Sequence, residues 1–181
     1  MKIRNPIEQP NDWRRFDLNV GGFCIRGCRW HVPAGWITFP YRYSYIGRRY
    51  PVVFVHGRHV LRLRDLLESG QTETPRDRRS CTLGIRLLGR SRHEDRRWLI
   101  FDFTVRGFTI LGCRWQPESG SIQLPATFLH DEEGRVCGKK LVVCAYGAHI
   151  NRLRHALEAE LAALDGERLV IPDEAQDAVP A

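Results

Sequence analysis

Apolar and polar residues alternate at Phe16, Leu18 and Val20, and again at Phe101, Phe103 and Val105. A period of two with one polar face (Asp17 and Asn19; Asp102 and Thr104) predicts half-buried antiparallel strands. Gly21-Gly22 and Arg106-Gly107 follow, each predicting a tight turn into a second strand, 23–30 or 108–115. In that strand the phase changes midway. Phe23 and Ile25 share one parity and Cys28 and Trp30 the other; Phe108, Ile110, Cys113 and Trp115 repeat the change. A β-bulge at Gly27 and at Gly112 would bring all four apolar residues onto one face and turn Arg29 and Arg114 to the other.

A turn at Pro33-Ala34-Gly35 leads to a third strand over 36–39, with Ile37 and Phe39 inward and Trp36 and Thr38 outward. Residues 50–55 and 141–146 are apolar runs that fit a fourth strand. Val60, Leu63 and Leu67 form the stripe of a closing helix, as do Ile150, Leu153, Leu157 and Leu161. Residues 81–88 and 97–105 read as a long hairpin.

These parallels are a tandem repeat. Residues 16–30 align with 101–115 without a gap at a constant offset of 85 (Phe16 to Phe101), and 34–40 align with 119–125. After a longer loop in the second copy, 57–68 align with 147–158 at an offset of 90 (Gly57 to Gly147). Lys2-Ile3-Arg4 corresponds to Gly84-Ile85-Arg86. The expected organisation is a first module over 1–69, a polar joint over 70–79, a second module over 80–165 and an acidic, flexible tail over 166–181. The expected fold class is α+β: two tandem modules, each an antiparallel sheet of about four to five strands plus a C-terminal helix. Exposed sheet edges in both copies favour pairing as an intramolecular pseudo-dimer.

The order of elements and the motif G-F-x-I-x-G-x-R-W, followed by G-x-I-x-x-P, resembles the SpoVG (stage V sporulation protein G) family. The residues are Gly22, Phe23, Ile25, Arg29, Trp30, Gly35, Ile37 and Pro40 in the first copy. In the second they are Gly107, Phe108, Ile110, Arg114, Trp115, Gly120, Ile122 and Pro125. The resemblance implies a small cytosolic regulator that binds DNA or RNA as a dimer. It also implies nucleic-acid contacts from basic residues of the closing part, which carry over to Arg58, Arg62 and Arg64, and less well to Arg152 and Arg154. The fusion of two copies and the segment after each proline depart from the family pattern.

Charge separates the copies. Of the net +7, residues 1–70 carry +7 (twelve Lys/Arg against five Asp/Glu), 71–98 carry +4 (eight against four) and 99–181 carry −4 (eight against twelve). The first repeat and the joint could therefore meet a polyanion. An Arg-biased, solvated surface is the alternative. In the first repeat Trp36, Tyr41, Tyr43 and Tyr45 are interleaved with Arg42, Arg48 and Arg49, a mixture suited to stacking bases while meeting phosphates. The same tyrosines could instead cap the core or fill the interface between repeats. The second repeat has Asp131-Glu132-Glu133 in the corresponding region, so binding is expected in the first repeat and the joint.

The expected nucleic-acid contacts are Arg29, Trp36, Arg42, Tyr43, Arg48, Arg49, Arg58, Arg62, Arg76, Arg78 and Arg79. No catalytic motif, cofactor or metal is expected. The six cysteines lack zinc-motif spacing and a C-x-x-C pair, which fits buried thiols in a reduced cytoplasm, with nucleoid association an option. No signal peptide or membrane span is read in the sequence. The expected function is a non-enzymatic nucleic-acid-binding regulator of DNA or RNA, with a single strand as one option, acting as a monomer with internal pairing or as a higher homo-oligomer. Two alternatives stay open: a protein-interaction or assembly subunit, and a metal-dependent nuclease or hydrolase using His130 and Asp131.

Overall fold

The computed structural model describes residues 1–44, 46–71, 82–90 and 97–168. The chain is α+β and mostly antiparallel. The first half contains β1 (Lys2–Glu8), β2 (Trp13–Val20), β3 (Phe23–His31), β4 (Trp36–Thr38), β5 (Tyr41–Tyr43), β6 (Arg49–Pro51), β7 (Val53–Val55) and α1 (Gly57–Glu68). The second contains β8 (Leu83–Arg90), β9 (Leu99–Val105), β10 (Phe108–Gln116), β11 (Ser121–Gln123), β12 (Ala126–His130), β13 (Val136–Leu141), β14 (Val143–Ala145) and α2 (Ala148–Arg168).

Both expected bulges are present. In the β2–β3 ladder Phe16 faces Cys28 and Leu18 faces Ile25, so Arg26 and Gly27 together oppose Asp17. In β9–β10 Phe101 faces Cys113 and Phe103 faces Ile110, leaving Leu111 and Gly112 opposite Asp102. Gly27 and Gly112 adopt φ of +81° and +69°, where a side chain would be strained. Each bulge is held by the opposing aspartate: Gly27 N–H donates to Asp17 Oδ1 (2.9 Å) and Gly112 N–H to Asp102 Oδ1 (2.8 Å). The phase change therefore buries Phe23, Ile25, Cys28 and Trp30, and likewise Phe108, Ile110, Cys113 and Trp115.

The fourth strands cross over. The expected single run over 50–55 is divided: β6 pairs with β5, while β7 pairs with β10 of the second repeat (Val53 with Ile110, Val55 with Phe108). Reciprocally, β14 pairs with β3 of the first repeat (Val143 with Ile25, Ala145 with Phe23). The first sheet runs β1-β2-β3-β14, with β4 also on β3; the second runs β11-β10-β9-β8, with β7 also on β10. The division at Val52 has a physical cause. Val52 is fully buried and its carbonyl accepts from Leu111 N–H (2.9 Å), so the chain must leave the β5–β6 hairpin there to complete the neighbouring sheet.

The inner faces of the two sheets share one core with the helices. Phe23 meets Phe103 with ring centroids 4.6 Å apart. Leu63, Leu66 and Leu67 of α1 and Leu153 and Leu157 of α2 are buried in the same cluster. Each helix start lies against the other repeat's turn: His59 over Gly107, His149 over Gly22. Arg152 donates to the Gly21 carbonyl (2.7 Å), while Arg154 donates to Gly120 within its own repeat (3.1 Å).

Candidate nucleic-acid interface

Because Phe16, Leu18 and Val20 point inward, the residues between and before them form the outer face of the first sheet. On that face β2 presents Trp13, Arg15 and Asp17, β3 presents Arg29 and His31, and β4 presents Trp36 and Thr38. The ladders set them side by side: Trp13 opposite His31, Arg15 opposite Arg29, His31 opposite Trp36. The rings form a row across three strands. Trp13 and His31 lie 5.0 Å apart edge to face, and His31 and Trp36 lie 5.8 Å apart. Trp36 is 66% exposed. Arg15 is half-buried and Arg29 exposed, and Arg4 projects from β1 opposite Asp17.

The second sheet does not repeat this surface. At the same offset, Trp13, Arg15, His31 and Trp36 become Trp98, Ile100, Gln116 and Ser121. Its bulge is also covered. The Arg42 guanidinium reaches across from β5 to within 3.1 Å of where a Cβ on Gly112 would lie, and stacks on Tyr50 at 5.3 Å. Arg86 forms an ion pair with Asp102, which is only 3% exposed. In the first sheet Asn5 Nδ2 takes the place of that arginine, donating to Asp17 Oδ2 (3.3 Å). Arg4 is thereby left without an ion pair among the described residues.

The expected contacts thus fall into separate places. Arg29 and Trp36 come together on the outer face of the first sheet. Arg42 is turned onto the second sheet. Tyr43 is half-buried against the second repeat: its N–H donates to Thr127 Oγ1 (3.0 Å) and its ring lies 6.5 Å from His130. Arg49 stacks on Tyr43 (5.5 Å), and Arg48 and Arg49 are exposed on the β5–β6 hairpin. Arg58 and Arg62 are exposed on α1, whereas Arg64 pairs with Glu68 (3.5 Å). Arg76, Arg78, Arg79 and Tyr45 lie outside the described residues. Trp13, Arg15 and His31 were missed in the sequence, although extending the period of two back from Phe16 and forward from Arg29 would have reached them.

The acidic tip of the β12–β13 hairpin is internally paired. Asp131 accepts from Arg135 N–H (2.8 Å) and Nε (3.0 Å), and these bonds, the backbone one foremost, hold its carboxyl below the usual range. Burial pushes the Cys28 and Cys113 thiols well up. Burial, and then Arg58, lowers His59, whose Nε2 accepts from Arg58 Nε (3.2 Å). Among the described residues no three His, Cys, Asp or Glu side chains cluster as a metal site. No described helix is long and apolar enough to cross a membrane. No family model, curated protein or solved structure matches this chain.

Proposed function

We propose that this chain is a non-enzymatic nucleic-acid-binding protein whose binding surface is the outer face of the first sheet. The observation that carries this reading is the Trp13–His31–Trp36 row beside Arg4, Arg15 and Arg29. Flat rings accept bases by stacking, and guanidinium groups on the same face meet the phosphates that follow. A duplex keeps its bases stacked on one another, so the row favours a single strand of DNA or RNA. Arg48, Arg49, Arg58 and Arg62 are exposed on the β5–β6 hairpin and α1, apart from this face, and add positive charge to the first repeat. Together with the SpoVG-like motifs, the exchange of β7 and β14 supports reading the chain as two fused modules paired as an internal pseudo-dimer. Free Cys24, Cys28, Cys113, Cys137 and Cys144 suit a reducing, cytoplasmic setting.

Binding of a labelled single-stranded oligonucleotide and its duplex, followed by anisotropy across a salt series, tests the proposal. The single strand should bind more tightly, with log K falling by about 0.7 per phosphate contact for each log unit of salt. Trp36→Ala should cost ~1–3 kcal/mol at every salt concentration, the range for loss of one stacked base. Arg15→Glu with Arg29→Glu should flatten the salt slope by about one to two contacts, more than Arg48→Glu with Arg49→Glu. No binding at low salt would reject the proposal in favour of a protein partner for the same aromatic row.

A further inference from the structure

The crossing of β14 onto β3 brings Cys144 of the second repeat directly opposite Cys24 of the first. Two strand residues away, Arg26 N–H donates to the Val142 carbonyl (2.8 Å), which marks Arg26–Val142 as a hydrogen-bonded pair. Antiparallel ladders alternate, so Cys24–Cys144 is also of the hydrogen-bonded kind, with Cα atoms about 5.5 Å apart. That spacing lies within the range that a disulfide spans. Successive residues of a strand point to opposite faces, and Phe23 and Ile25 point into the core. Both thiols therefore lie on the outer face of the first sheet. Cys24 is half-exposed and Cys144 is 8% exposed. The corresponding pair at the other crossing is Thr109 opposite Phe54, so only one of the two crossings carries thiols.

We infer that Cys24 and Cys144 form a two-electron redox site, which low-molecular-weight disulfides oxidise to a bond stapling the two repeats together. Cys24, the more accessible, attacks one sulfur of the external disulfide as its thiolate and expels one thiolate. Cys144 then attacks the Cys24 sulfur of the mixed disulfide and expels the second. Both cysteine protons end on the two released thiols, and the two electrons lost by the cysteine sulfurs reduce the external disulfide. The staple joins β3 to β14. It closes a loop of more than one hundred residues and holds the crossing in place. A hydrogen-bonded pair sets its Cβ atoms wider than a relaxed disulfide prefers, and β14 is a three-residue edge strand that must move inward. The bond is therefore readily reduced, as a switch requires.

Burial, then the Cys144 thiol and Asp17, push the Cys24 thiol up, while Arg26 pulls it down. Oxidation should accordingly be slow at neutral pH and faster in alkaline buffer. The test is incubation of the whole native protein in reduced and oxidised glutathione mixtures at pH 8, followed by acid quench, alkylation and peptide mass spectrometry without reductant. A Cys24–Cys144 linked peptide should form, dithiothreitol should remove it, and the oxidised protein should unfold at higher urea. Cys24→Ala and Cys144→Ala should each abolish the link, whereas Cys137→Ala should not. Exposed Cys137 provides the internal check, because its glutathionylation shows that oxidant was delivered. If Cys137 is modified while the Cys24–Cys144 peptide is absent, or appears only after denaturation, the inference is wrong.

Discussion

Asp17 and Asp102 show how one residue can set the geometry of a strand. Each carboxylate takes the N–H that its glycine bulge leaves without a ladder partner. Without that acceptor, the N–H loses its partner, and a hydrogen bond to a charged group is worth about 1.5–3 kcal/mol. Asp102→Ala should fall at the upper end of that range, because Asp102 is buried and also holds Arg86. Asp17→Ala should fall at the lower end, because Asp17 is half-exposed and water can replace it. The two urea midpoints, at unchanged slope, measure the difference. The bulges were legible because the apolar parity shifts across Gly27 and Gly112. The role of the aspartates was not, because an acid on the polar side of an alternating strand resembles any solvated residue until the partner strand is in place.

At the scale of elements, the helices act as clasps across the two repeats. His59 covers Gly107, which has φ of +82°, and a Cβ there would run into the imidazole. Burial, followed by Arg58, His56 and Arg62, lowers the affinity of His59 for a proton in the folded chain. The unfolded chain takes that proton near the ordinary histidine value of about 6.5. Its contribution to stability is thus complete above that value and lost as pH falls through the depressed folded value. The urea midpoint should drop between pH 7.5 and 5.5, and His59→Gln should remove part of the drop. The helices and their apolar stripes were readable from 3.6-residue spacing. The crossing of β7 and β14 was not, because a three-residue apolar run shows that a strand exists without showing which strand it pairs with.

For the whole molecule, one core built from both repeats means that neither sheet is complete without the other half. A protease site placed in 72–79 should therefore yield two fragments that co-elute after cleavage and separate only in denaturant. Separate elution in native buffer would mean that the shared core contributes little to cohesion. The one-sidedness of charge was visible in the sequence as an excess of arginine in the first repeat. Its focus was not, since Arg42 and Tyr43 turn to the second repeat while Trp13 and His31, unremarkable in sequence, join Trp36.

The reciprocal crossing has a consequence for how the two halves can change. In an assembly of identical subunits every substitution occurs twice, and a useful surface cannot be gained without its copy. Here both halves that exchange β7 and β14 lie in one chain, so the exchange survives dilution. One outer face can acquire rings and cations while the other is closed by Arg42 and Arg86. On the proposed reading, a nucleic-acid strand lying on such a molecule would meet a front and a back, and two molecules along one polymer could be told apart by the way they face.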